Sequence, residues 1–177
     1  MGKPYNISAD EKATAVMVYT KTEMIWGDVI TPHAIRVGIW LKTDTAPAYL
    51  NLYNAHILSL SPDGNNRPTA YSHTAIPISM VMGFHTMPNV QEPLFYDANE
   101  PFRKMEPVNA LLGLLHGKGA LRMASQSTLR QFLDVNRDVF LSLFDVEISH
   151  PRMPQNRTFR LAHALIRTSE TVFASRD

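Results

Sequence analysis

With 177 residues, 45% hydrophobic, 19% charged and a formal net charge of +1, the chain has the composition of an ordinary globular protein. That balance excludes a disordered polyelectrolyte, and the absence of an unbroken apolar run of about 18 residues excludes a membrane-spanning helix. Zero cysteines exclude disulfides, thiol catalysis and thiolate metal sites. Met1 to Glu11 lacks the apolar core of a leader peptide, so the expected compartment is the cytoplasm.

In chain order, Ser8-Ala9-Asp10-Glu11 has the form of a capping box, but β-favouring residues follow at once and leave room for one helical turn at most. Thr14 to Thr20 is expected to be a strand, rich in Val, Thr and Tyr, and Lys21-Thr22-Glu23 a turn. Met24 to Thr31 follows as a second strand, with Gly27 marking a bulge or a close backbone approach. After Pro32-His33 comes Ile35 to Leu41, where the spacing of Val37, Trp40 and Leu41 predicts a short amphipathic helix anchored by Trp40.

Tyr49 to Leu58 is the next strand, with apolar residues at 49, 50, 52, 53, 55 and 57, a density that predicts burial on much of both faces. Ser61 to Pro68 is a turn by composition, and Thr74 to Met82 a strand. Thr86 to Pro107 carries prolines at 88, 93, 101 and 107 with no periodic pattern. It reads as a linker or arm over residues 88–107, on which Leu94-Phe95-Tyr96 and Phe102 are expected to dock against one of the flanking units. Val108 to Leu115 is a strand, His116-Gly117-Lys118-Gly119 a hairpin turn, and Ala120 to Ala124 the returning strand. Ser127 to Leu133 repeats the short helix with Phe132 as its anchor, and Ser125, Ser127 and Thr128 are placed to cap it. Phe140 to Ile148 and Leu161 to Arg167 complete the set of strands.

The second half echoes the first. Tyr49-Leu50-Asn51-Leu52-Tyr53-Asn54-Ala55-His56-Ile57 is answered 91 positions later by Phe140-Leu141-Ser142-Leu143-Phe144-Asp145-Val146-Glu147-Ile148, with three identities. At an offset of 92, Gly27 meets Gly119, Val37 meets Leu129 and Trp40 meets Phe132. The expected architecture is mainly β with short helices, an internal duplication of a small SH3-like or Sm-like barrel or half-open sheet with pseudo-two-fold symmetry. Its units are residues 1–87 and 108–177, joined by the arm.

These motifs carry a resemblance. Gly27 to Pro32, then Arg36-Val37-x-x-Trp40-Leu41, then Tyr49-Leu50-x-Leu52-x-x-Ala55, resembles a group of small bacterial β-rich domains with no assigned chemistry, here in two tandem copies. The second copy has Ala124 for the Pro and Thr128 for the Arg. The resemblance implies a fold type and brings no activity with it.

Candidate chemistry is sparse. The histidines at 33, 56, 73, 85, 116, 150 and 163 show no H-x-x-x-H, H-x-H or H-E-x-x-H spacing, so no metal site and no cofactor is expected. In the repeat His56 stands opposite Glu147 and His85 opposite Glu170, which suggests surface side chains. There is no nucleophile elbow and no Ser-x-x-Lys, so no catalytic residue is assigned. His116 to Gly119 is far too short for a phosphate loop.

The arginines are more suggestive. Residues 1–100 hold 6 Lys+Arg and 9 Asp+Glu, whereas residues 101–177 hold 11 and 7. Arg forms paired hydrogen bonds to phosphate and stacks on bases, which makes Arg122, Arg130 and Arg137 candidate contacts for an anion or nucleic acid. The expected function is a non-enzymatic binding or scaffold module whose partner is a protein, including a second copy of the chain as a homo-oligomer. An anion or nucleic-acid binder through the second repeat is the first alternative, and an enzyme with a site between the repeats is the last.

Overall fold

The computed structural model describes residues 5–61, 67–88, 90, 92–93, 96–150 and 158–175. The chain divides into two compact units, Met1–Val90 and Gln91–Asp177, both built mainly of antiparallel β-structure. Among the described residues no helix is long and apolar enough to cross a membrane.

In the first unit, β1 (Glu11–Tyr19), β2 (Glu23–Pro32), β3 (Tyr49–Ser59), β4 (Thr69–Pro77) and β5 (Gly83–Thr86) lie in the order β5-β1-β2-β3-β4. All four pairings are antiparallel. A short 3-10 helix, Val37–Lys42, joins β2 to β3, and one turn of the same kind, Ile78–Met80, precedes β5. Alternation sets the core. Val16 and Val18 of β1, Leu50 and Leu52 of β3 and Phe84 of β5 are fully buried, each contributing roughly 1.5–3 kcal/mol by leaving water.

In the second unit, β6 (Arg103–Leu112), β7 (Leu115–Ala124), β8 (Phe140–Ser149), β9 (Phe159–Arg167) and β10 (Val172–Ala174) lie in the order β10-β6-β7-β8-β9. These neighbours too are antiparallel throughout. Helix α1 (Leu129–Val135) joins β7 to β8, and the turn Thr168–Glu170 precedes β10. Thr128 caps α1, accepting from the Gln131 N–H at 3.3 Å while Gln131 Oε1 accepts from the Thr128 N–H at 2.9 Å.

One device recurs in both units. The β2–β3 register shifts between Trp26 and Asp28, and the β7–β8 register between Lys118 and Ala120. At each bulge sits a glycine, Gly27 or Gly119, and across from it a residue in the left-handed region, Asn54 at φ 48° or Asp145 at φ 50°. Asn and Asp tolerate that conformation better than other side chains. Extra twist at a bulge bends the strand pair there.

Several expectations are corrected. His116 to Gly119 lies inside β7, and the hairpin turn is at Gly113, with φ +61°, and Leu114. Glycine density marked the wrong place because Gly117 and Gly119 serve the sheet rather than the turn. The strand expected over Thr74 to Met82 ends at Pro77, where the 3-10 turn takes over. The first helix is 3-10 and buries Val37 and Leu41, with Trp40 only half-buried, while α1 has no buried residue. β3 is buried on one face only, and its Tyr49 is 54% exposed.

The arm is structured in part. β6 begins at Arg103, and the segment before it belongs to the second unit. Tyr96 packs edge-on against Phe144 at 4.9 Å, but Phe102, expected to dock, is 81% exposed. Leu94, Phe95, Arg152, Arg157 and most of the Ser61 to Pro68 turn lie outside the described residues.

The sheet register also replaces the pairing of His85 with Glu170. Phe84 pairs with Val18 and His85 with Met17, whereas Phe173 pairs with Ala110 and Ala174 with Asn109. His85 therefore corresponds to Ala174, and it is a buried residue rather than a surface one. Its Nδ1 donates to the Thr86 carbonyl at 2.8 Å and its Nε2 accepts from the Tyr19 hydroxyl at 3.0 Å. That pair of bonds assigns the neutral Nδ1–H tautomer. Burial holds its pKa down at about 4.

Candidate functional site

The outer face of β3 becomes a site because its inward residues are spent on the core. Leu50 and Leu52 point in, which turns Tyr49, Asn51 and Tyr53 outward. Beside them run Ile30 of β2 and Glu11 at the start of β1, with Trp40 and Pro47 from the β2–β3 connection and Tyr5 and Asn6 from the N-terminal arm. Together these nine line an open groove of about 480 Å³.

The walls are held by specific bonds. Tyr5 stacks at a tilt on Tyr53, with centroids 4.8 Å apart, and donates its hydroxyl to Asp28 Oδ2 at 3.0 Å. Burial, then the bond to Asp28 and its charge, raise the Tyr5 pKa, so this phenol stays a donor. Asn54 donates to the same carboxylate oxygen at 3.2 Å, which ties the left-handed residue of the bulge to the groove. On the far side Tyr53 meets His73 at 5.1 Å, and His73 Nε2 is 3.0 Å from Asn51 Oδ1. Trp40 donates its indole N–H to the Thr45 carbonyl at 3.1 Å and thereby fixes the loop that carries Pro47.

Chemically the groove offers aromatic faces, two side-chain amides and one carboxylate, and among the described residues no Lys or Arg lines it. Such a surface suits apolar or cationic groups and repels anions. Among the described residues no three His, Asp or Glu side chains group as a metal site.

The arginines singled out from sequence are placed otherwise. Arg122, on β7, donates to Glu100 Oε2 at 2.6 Å and to the Asp97 carbonyl at 3.0 Å, and its guanidinium lies 4.8 Å above the Tyr96 ring. Arg122 first and Arg103 second hold the Glu100 carboxyl below its usual range. Arg130 lies in the first turn of α1 and Arg137 just beyond its C-cap, and both bond to Asp134. Arg130 is 3.6 Å from Asp134 Oδ2, and Arg137 donates to the Asp134 carbonyl at 2.8 Å. Arg122 is thus committed to its own arm, while the other two sit toward opposite ends of α1.

The unit boundary changes the charge account as well. Divided at Val90, the first unit holds six basic and six acidic residues and the second eleven and ten. The imbalance seen in the sequence came from assigning Glu92, Asp97 and Glu100 to the wrong half.

No family model, curated protein or solved structure matches this chain.

Sequence reasoning treated Trp40, Tyr49 and Tyr53 as core, read Glu11 only as part of a capping box and passed over Tyr5. A signal was there: Tyr5 and Tyr96 are 91 apart, the offset of Tyr53 and Phe144. The two ring contacts, Tyr5–Tyr53 and Tyr96–Phe144, repeat at that offset.

Proposed function

We propose that the chain is a non-enzymatic, cytoplasmic binding module of bacterial type, a tandem duplication of one small SH3-like or Sm-like barrel that docks a protein segment in the groove of its first unit. The groove carries this reading: aromatic rings on a rigid strand, with polar groups at the margins, form the commonest kind of peptide-recognition surface. The duplication is supported by the shared strand order, the short helix and the 3-10 turn at matching places, and the paired bulges. Cytoplasmic placement is supported by the lack of cysteine. The alternative through Arg122, Arg130 and Arg137 has less support, because Glu100 already engages Arg122, Asp134 engages Arg130, and backbone carbonyls accept from Arg137.

Tyr49 is the residue to test. It is more than half exposed, so Tyr49→Ala spares the core. Peptides selected from an unbiased display library against the intact protein are expected to lose about tenfold or more in affinity for this variant, the usual cost of truncating a central aromatic contact. Undiminished binding would remove the groove from consideration.

Self-association is a second reading, carried by β4. In the strand order it has one neighbour, β3, and its residues 69–73 are exposed. An open edge of that length is a template for another chain. Sedimentation of the purified protein is expected to show a dimer that Ser72→Pro weakens, and a strict monomer would dispose of this reading.

A further inference from the structure

We infer that the groove of the first unit receives an arginine side chain of its partner, the guanidinium lying against Tyr49 with Glu11 as its counter-charge. The inference rests on the groove being a protein-docking site and names the chemistry of what docks there.

The second unit displays the chemistry. At the position matching Tyr5 stands Tyr96, and the Arg122 guanidinium lies 4.8 Å above its ring. At the position matching Tyr49 stands Phe140, and the Arg167 guanidinium lies 4.6 Å above it. Both contacts follow from register. Arg122 pairs with Met105 on β6 as Ile30 pairs with Ala13 on β1, and Arg167 pairs with Phe140 as Pro77 pairs with Tyr49. The first unit therefore keeps the rings and lacks the cations, having Ile30 and Pro77 in their places. The matching rings also differ in exposure. Phe140 is 1% exposed and Tyr49 is 54% exposed.

Charge points the same way. The register position of Arg103 in the second unit is occupied by Glu11 in the first, so a base at the margin becomes an acid. One Glu11 oxygen already accepts from the Ser8 N–H at 3.1 Å and from the Ser8 hydroxyl at 2.6 Å. That bond fixes the carboxylate at the groove wall. Asn6 and Asn51 add side-chain amide oxygens to the lining. A guanidinium suits this set better than an ammonium, because its flat face stacks on a ring while its edge still donates hydrogen bonds.

The test uses the intact protein and acetylated, amidated Gly-Ser-X-Ser-Gly peptides with X as arginine, lysine, citrulline or leucine. Citrulline keeps the planar shape of arginine but is neutral, with a carbonyl acceptor in place of one donor nitrogen. Binding is read by amide and indole NMR shifts of Trp40, Tyr49 and Asn51. The arginine peptide is expected to bind about fivefold tighter than the lysine peptide and about tenfold tighter than citrulline, the scale of a partly exposed cation–π contact with a counter-ion. Glu11→Gln, which keeps an acceptor for Ser8, is expected to weaken arginine binding about fivefold and leave leucine binding unchanged. If citrulline or leucine binds as well as arginine, and Tyr49→Ala abolishes both, the groove stands as a docking site and the arginine inference fails. Shifts from none of the four peptides overturn the arginine inference by themselves, and the library selection with Tyr49→Ala then decides the groove separately.

Discussion

Gly27→Ala is expected to destabilise the first unit by about 3 kcal/mol or more, at the upper end for overpacking. A Cβ built on Gly27 falls 2.7 Å from the Tyr53 carbonyl oxygen and 3.1 Å from Ala55 Cα. Both obstacles are backbone, so no rotamer change relieves them. They belong to the stretch of β3 that carries Asn54 at φ 48°, where the chain has little freedom to shift. Gly119→Ala meets the Leu143 Cγ and the Phe144 carbonyl oxygen, each at 2.8 Å, and Leu143 is itself buried. A comparable cost is expected there. Gly117→Ala is the control, since its nearest neighbours lie at 3.6 Å or beyond. Both tryptophans, Trp26 and Trp40, belong to the first unit, so urea unfolding followed by their fluorescence reads Gly27→Ala alone, and far-ultraviolet circular dichroism reads the other two. A Gly27→Ala protein as stable as Gly117→Ala would show that the strand crossing yields more easily than its geometry implies.

Acid should weaken the first unit well before its carboxylates titrate. Folded, His85 takes up a proton only near pH 4, against 6.5 for the ordinary group. Between those values the unfolded chain binds a proton at this residue that the folded chain refuses. Stability is therefore complete above pH 6.5, falls as the pH drops, and levels off for this group below about 4. At about 1.4 kcal/mol per pH unit the total loss is about 3 kcal/mol. The Glu100 carboxyl, held low by Arg122 and Arg103, has the same sign, but it loses its proton-free form only at more acidic pH.

The clean comparison is Tyr19→Phe with His85→Phe, which removes both partners of the buried bond and avoids stranding either. Tryptophan-monitored unfolding at pH 7.5, 6, 5 and 4.5 should give a steep slope for the natural chain and a flatter one for the double variant. Equal slopes would assign the acid sensitivity to other groups.

Why some of this was legible in the chain and some was not follows from what each feature depends on. Repeated spacing survives without knowledge of the fold. The pairs Gly27/Gly119, Leu50/Leu141 and Leu52/Leu143 hold their intervals because each unit bends and fills its sheet at the same points. A Thr followed three residues later by a Gln is likewise a local signal, and Thr128 caps its helix as expected. The mainly antiparallel β character also rests on short-range pattern.

Other features depend on register. Which glycine turns the chain is decided by strand length, so β6 and β7 hand the turn to Gly113 and draw Gly117 and Gly119 into the sheet. Whether His85 is wet or dry depends on the strand beside it, where Met17 is its partner and Tyr19 its hydrogen-bond donor. The charge of each half depends on where the arm docks, and Arg122 with Glu100 settles that Asp97 and Glu100 go with the second unit. The sequence by itself determined the β-rich character and the recurring spacing of its apolar residues, because hydrophobic alternation is written residue by residue. Only the tertiary structure decided that Tyr49 stays open while Phe140 is covered, because strand pairing sets Pro77 beside the one ring and Arg167 over the other.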